Sequence, residues 1–158
     1  MNLPKEVGKT IKAKGKTLAL AESVSGGLAG SMITDVPGAS EFFLASLVAY
    51  SNEAKVRLLA VNETTMQAHG TVSEEVVTEM ADGVRGVVGA DIGAACTGVA
   101  GPKGGSAAVP VGTVWFAVTD GFKRVTEKKV FEGDRITIKR LAAERLLSLI
   151  IKFVGKES

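Results

Sequence analysis

The chain has 158 residues, 46% hydrophobic and 23% charged, with a formal net charge of +2. That length and apolar share predict one domain, 1–158, with a sizeable core, and the mild charge does not argue for nucleic acid. One cysteine and one histidine exclude an internal disulfide, a multi-cysteine zinc site and a histidine-rich metal centre. Chemistry is therefore expected from hydroxyls, amines, carboxylates and backbone amides, with no metal and no cofactor.

An amphipathic helix is expected over 3–14, closed by Gly15. Thr17–Ala21 reads as a buried strand leading into Glu22-Ser23-Val24-Ser25-Gly26-Gly27, followed by a helix through Met32 and Ile33 that stops at Pro37-Gly38. Phe43–Tyr50 reads as a second strand, after which Ser51 or Asn52 caps a short helix holding Lys55 and Leu58. A further short helix spans 62–68, with His69-Gly70 at its end. Ser73, followed by Glu74 and Glu75, starts a helix with an apolar stripe of Val76, Met80, Val84 and Val87. Ile92–Cys96 is a short strand that runs into the glycine-rich stretch Thr97–Gly105. Val111–Thr119 and Val125–Phe131 form a hairpin around Asp120-Gly121. Asp134 caps a final helix burying Ile138, Leu141, Ala142, Leu149 and Phe153. Early helix–strand alternation with a late hairpin predicts an α/β fold: a three-layer α/β/α sandwich with a mixed, partly parallel sheet. No element reaches 18 apolar residues and the lysine-rich start lacks a secretory h-region, so a cytoplasmic protein without membrane contact is expected.

Three segments carry candidate chemistry. Ser23 and Ser25, with Gly26 and Gly27, lie between a strand and a helix, where close backbone N–H groups serve a phosphate or an oxyanion. A serine-rich cap over tightly packed glycines is the plain alternative. Lys55 follows Ser23 by 32 residues, the length of a strand–helix–strand return to the same sheet edge. A neutral lysine beside a serine can act as its base, and neutrality requires burial or a nearby cation. An exposed helix lysine paired with an acid is the ordinary alternative. The loop with Thr97, Gly98, Gly101, Gly104 and Gly105 offers amides for an anion nest, or is a wide structural turn, and it lacks Walker A spacing. Arg135, at a helix start, can reach a phosphate or serve an ion pair. His69 reads as a cap or surface residue, Cys96 as core, and Trp115 and Phe116 as packing.

At these segments the chain resembles the C-terminal domain family of the CinA competence/damage-inducible proteins. The match runs through Ala21-Glu22-Ser23 with Gly26-Gly27, Tyr50-Ser51-Asn52-Glu53-Ala54-Lys55, His69-Gly70 and Val72-Ser73-Glu74. It continues through Thr97-Gly98-Val99-Ala100-Gly101-Pro102 with Gly104-Gly105, Pro110–Trp115 and Gly133-Asp134-Arg135, in the family's order and spacing. The resemblance implies deamidation of nicotinamide mononucleotide to nicotinic acid mononucleotide and ammonia. It places the family's dyad on Ser23 as nucleophile and Lys55 as general base; Tyr50, beside them in the sequence pattern, is expected to help position or tune the pair. On the residues themselves, substrate contacts are expected at Ser25, Gly26, Gly27, Asn52, Thr97, Gly98, Gly101, Gly104, Gly105 and Arg135, with the 25–27 amides at the oxyanion and the 97–105 loop with Arg135 at the phosphate and ribose. Where the family usually has Cys-Thr before Gly-Gly, this chain has Val24-Ser25, which keeps a hydroxyl and dispenses with a thiol. With about 17 residues before the first motif, the chain resembles the family's stand-alone deamidases. A non-catalytic nucleotide-binding or regulatory module is the rival reading. The apolar helix faces are compatible with a homodimer or higher homo-oligomer.

Overall fold

The computed structural model describes residues 1–156. Five strands, β1 (Leu18–Glu22), β2 (Phe43–Val48), β3 (Ile92–Gly98), β4 (Thr113–Thr119) and β5 (Arg124–Val130), form one sheet in the order β2-β1-β3-β4-β5. β1 is parallel to both β2 and β3, whereas β3–β4 and β4–β5 are antiparallel. The mixed, partly parallel sheet expected from the element order is therefore present. The parallel trio sends its carboxyl ends to one edge, the place where open α/β sheets hold ligands.

The helices are α1 (Leu3–Ala13), α2 (Leu28–Thr34), α3 (Asn52–Leu59), α4 (Glu63–His69), α5 (Glu74–Val88) and α6 (Arg135–Gly155). Strand alternation sorts the core into two layers. Leu18 and Leu20 of β1, with Ala94 and Cys96 of β3, face α1, α2 and α6. Ala19 and Ala21 of β1, with Ala95 of β3 and Ala117 of β4, face α3 and α5. Small side chains on that second face let α5 lie close to the sheet. Gly83 extends the principle to α3: a Cβ there would lie 1.9 Å from the Leu59 carbonyl oxygen. The helix that bears Lys55 is thus seated against α5 by backbone contact.

Several sequence expectations move by a few residues. β2 ends at Val48, so Ala49 and Tyr50 leave the sheet before Ser51 caps α3, its Oγ accepting from the Ala54 N–H at 3.0 Å. β3 runs on through Thr97 and Gly98 because β4 pairs with it there. Val87 is not part of the buried stripe of α5 but is 63% exposed. Leu141 and Phe153 of α6 are half-buried, whereas Leu146, Leu147, Ile150 and Val154 carry its deepest contacts. Among the described residues, no helix is long and apolar enough to cross a membrane.

Candidate active site

Ser23 is the first residue beyond β1, and its Oγ lies 3.0 Å from the Lys55 Nζ. Lys55 is also within 3.1 Å of the Tyr50 carbonyl oxygen. That carbonyl can only accept, so it takes an N–H and leaves the lone pair of a neutral amine free to face the Ser23 hydroxyl. Lys55 is 1% exposed, and burial lowers its pKa from 10.5 to about 8 against a small opposing effect of Cys96. The first turns of α3, which carry the amine, add the positive end of a helix dipole, which also disfavours an ammonium. A buried amine near neutrality, in contact with a hydroxyl, is the physical requirement for a serine–lysine pair.

A cleft of about 250 Å³ opens over this pair. Among the sequence-predicted residues, Ser23, Lys55, Tyr50, Thr97, Gly98 and Arg135 line it together. Val24, Thr71 and Ala100 complete the lining, and the sequence reading singled out none of them for the site. Arg135 spans the opening: Nη1 donates to the Gly101 carbonyl at 2.8 Å and Nη2 to the Tyr50 hydroxyl at 2.9 Å. A larger groove of about 550 Å³, bordered by Asn52, Glu53, Arg57 and Glu63, holds no nucleophile–base pair. Chemistry, not size, distinguishes the smaller cleft.

The remaining predicted residues stand around the cleft and not on its wall. The Ser25 Oγ turns away to Glu22 Oε1 at 2.7 Å and to Cys96 Sγ at 3.2 Å. The Gly26 N–H closes a turn on the Ser23 carbonyl at 3.0 Å, and Gly27 begins α2 with φ 97°, a left-handed conformation suited to glycine. Asn52 Oδ1 accepts from the Thr71 hydroxyl at 2.9 Å, which ties α3 to the cleft wall. Gly101 contributes its carbonyl to Arg135, and Gly105 lets the loop pass Val111, whose backbone N would be 2.7 Å from a Cβ there. Gly104, with φ 94°, lies in the same loop. His69 is a surface residue 3.6 Å from Glu75. Cys96 is buried, with its thiol pushed up to about 11, chiefly by burial.

Glu22 is the residue whose role the sequence did not disclose. It is fully buried, and its carboxylate accepts from Ser25 Oγ, Ala29 N, Gly30 N and Ser46 Oγ. The available signal was an acid closing the otherwise apolar strand Leu-Ala-Leu-Ala-Glu.

The profile of the CinA C-terminal domain matches residues 1–154. The chain is 44% identical over 151 residues to the nicotinamide-nucleotide amidohydrolase PncC of Escherichia coli K12, covering 95% of this chain and 92% of that protein. It is 43% identical over 152 residues to a CinA-like protein of Thermotoga maritima, of which the match covers 37%. The crystal structure of the competence damage-inducible protein A of Klebsiella pneumoniae superposes with a TM-score of 0.94 at 34% identity, covering 99% of this chain and 97% of that one. The chain belongs to the CinA C-terminal domain family.

Proposed function

We propose that this chain is a nicotinamide-nucleotide amidohydrolase, which converts nicotinamide mononucleotide and water to nicotinic acid mononucleotide and ammonia. The observation that carries the reading is the 3.0 Å contact between the Ser23 hydroxyl and the buried amine of Lys55. The name of the E. coli relative supplies the substrate. In this reading 1–158 is one amidohydrolase domain.

Ser23 Oγ attacks the carboxamide carbon while neutral Lys55 takes its proton. The tetrahedral intermediate collapses, and the Lys55 ammonium gives that proton to the departing nitrogen, which leaves as ammonia. Water then attacks the acyl-Ser23 ester, again losing a proton to Lys55, and the acid is released with the Ser23 hydroxyl restored. The oxyanion needs backbone donors. The Gly26 amide already serves the turn, the Ser25 backbone faces Cys96, and none of residues 25–27 lines the cleft, so the amide of Val24, a cleft residue next to the nucleophile, is the better donor. Arg135, with Thr97 beside it, is positioned to receive the phosphate and ribose through guanidinium donors not used by Gly101 and Tyr50.

Ammonia release from nicotinamide mononucleotide tests the reading, with a small panel of pyridine amides to define the substrate. Ser23→Ala and Lys55→Ala are each expected to abolish turnover while circular dichroism stays unchanged. Full activity in either variant removes the dyad. Tight binding of the nucleotide by the wild-type chain with no ammonia or acid produced would favour the non-catalytic module.

A further inference from the structure

We infer that Glu22, acting through Ser25, is the positioning residue that fixes the nucleophile's turn; this rests on the reading of Ser23 as nucleophile. Glu22 closes β1 in register with Val48 of β2 and Cys96 of β3. Its Oε1 accepts from Ser25 Oγ at 2.7 Å and Ala29 N at 2.8 Å, and its Oε2 from Gly30 N at 2.9 Å and Ser46 Oγ at 2.6 Å. Burying a carboxylate is unfavourable unless its lone pairs are filled, and here four donors from the turn, α2 and β2 fill them. The N-terminus of α2 has no side-chain cap of its own, so Glu22 provides one from the neighbouring strand. Gly30 makes room, since a Cβ there would lie 2.8 Å from the Ser46 Cβ and 3.2 Å from Glu22 Oε2.

The link to Ser23 runs through Ser25. Ser25 gives its hydroxyl proton to Glu22, so toward Cys96 at 3.2 Å it acts as acceptor from a thiol that burial keeps protonated. The resulting chain has one direction: Cys96 S–H to Ser25 Oγ, then Ser25 O–H to Glu22 Oε1. Ser23 and Gly26 are the ends of a turn closed by the Gly26 N–H, and Ser25 lies inside it. Holding Ser25 therefore holds the backbone from which Ser23 projects toward Lys55. Ser46 loads the same carboxylate from β2 and has no place in that turn.

This difference separates positioning from simple support. Ser25→Ala and Ser46→Ala each delete one hydroxyl donor to Glu22, so a merely structural carboxylate predicts equal effects. The inference predicts that Ser25→Ala lowers kcat for nicotinamide mononucleotide by about 10–100-fold, with KM and the midpoint of the pH profile unchanged, the scale of a nucleophile displaced by under 1 Å. Ser46→Ala should stay within about threefold of wild type, and Ser25→Thr, which keeps the hydroxyl, should recover most of the rate. Glu22→Gln, nearly the same size, should lower kcat at least tenfold with an unchanged circular dichroism spectrum, and this reads the same quantity if Ser25→Ala fails to fold. Equal losses in the two serine variants, a loss confined to KM, or a wild-type kcat in Glu22→Gln overturns the inference. Ser23→Ala keeps the two readings apart. If it still releases ammonia, the nucleophile assignment fails; if it is inactive while Ser25→Ala keeps its kcat, only the positioning role fails.

Discussion

Two buried ionisable side chains flank Ser23 and are treated in opposite ways. Glu22 is fully buried with both carboxylate oxygens doubly occupied by donors. Lys55 is as deeply placed, yet among the described residues its Nζ has only the Ser23 hydroxyl and the Tyr50 carbonyl. Among the described residues, no ion pair joins either to an opposite charge. One group is built into the scaffold by complete hydrogen bonding; the other is left under-solvated, which lowers its pKa from 10.5 to about 8. The lesson is that burial alone does not distinguish a structural charge from a reactive one, whereas the number of partners does.

Removing each group sharpens that contrast, because stability should move in opposite directions. Lys55→Met should lower ammonia release by about 10³-fold or more, since the proposed general base is lost. The same variant should be more stable than wild type at pH 7 by about 1–3 kcal/mol, the order expected from returning a displacement of this size. Glu22→Ala should instead destabilise by about 3–5 kcal/mol, because it strands two backbone N–H groups and two hydroxyls in the interior. Urea titrations at pH 7 read both values. A destabilised Lys55→Met, at unchanged cooperativity, would break the comparison.

The pH dependence gives the next largest effect. As the proposed base, Lys55 would work only when neutral, so kcat/KM should rise about tenfold per pH unit below about 8 and level off above it. Stability carries the same signature. Folded Lys55 releases its proton near 8 and the unfolded side chain near 10.5, so between these values the unfolded chain binds more protons and stability climbs with pH. Lys55→Met should flatten that climb. A rate that is level from pH 6 to 9 would show that no amine of lowered pKa limits the reaction.

Much of this arrangement is legible in the sequence because it depends on local pattern. Ser51, Ser73 and Asp134 each cap the helix their position suggests, and all three accept an N–H from the third residue after them. The alternation within Leu18–Ala21 sorts leucines to one layer and alanines to the other, as a central strand requires. The meeting of Ser23 with Lys55 follows from two parallel strands that end at one edge. What stays hidden depends on contacts distant along the chain. Glu22 lies only three residues from Ser25, but nothing local announces that the Ser25 hydroxyl also meets Cys96, 71 residues away, and so faces away from the cleft. Thr71 likewise reaches the cleft only because Asn52 and Thr97 hold its hydroxyl and carbonyl from two other elements. Val87 satisfies helical spacing, yet it falls just outside the arc of α5 that faces the sheet.

Arg135 is a third kind of charge: exposed, at the first residue of α6, and only partly engaged by Gly101 and Tyr50. Arg135→Ala should raise KM for the nucleotide about tenfold or more with a smaller change in kcat, because the proposed guanidinium–phosphate contact would be made equally in the ground and transition states. The unphosphorylated nucleoside should show little response to the same substitution, and an equal response would remove the phosphate from this position.

The smallest expected effect concerns Tyr50, whose two ends have separate duties. Its carbonyl accepts from Lys55 at 3.1 Å, while its hydroxyl accepts from Arg135 at 2.9 Å. Tyr50→Phe keeps the carbonyl and so leaves the amine in the environment that lowers its pKa. It deletes only the hydroxyl that restrains Arg135. The variant should therefore raise KM by about 2–5-fold, the worth of one exposed hydrogen bond to a charged group, and leave the pH midpoint near 8. Turnover slowed by about two orders of magnitude, or a displaced midpoint, would mean that the phenol itself takes part in proton transfer. The base would then be a lysine–tyrosine unit, and partner number at Lys55 would no longer account for its reactivity.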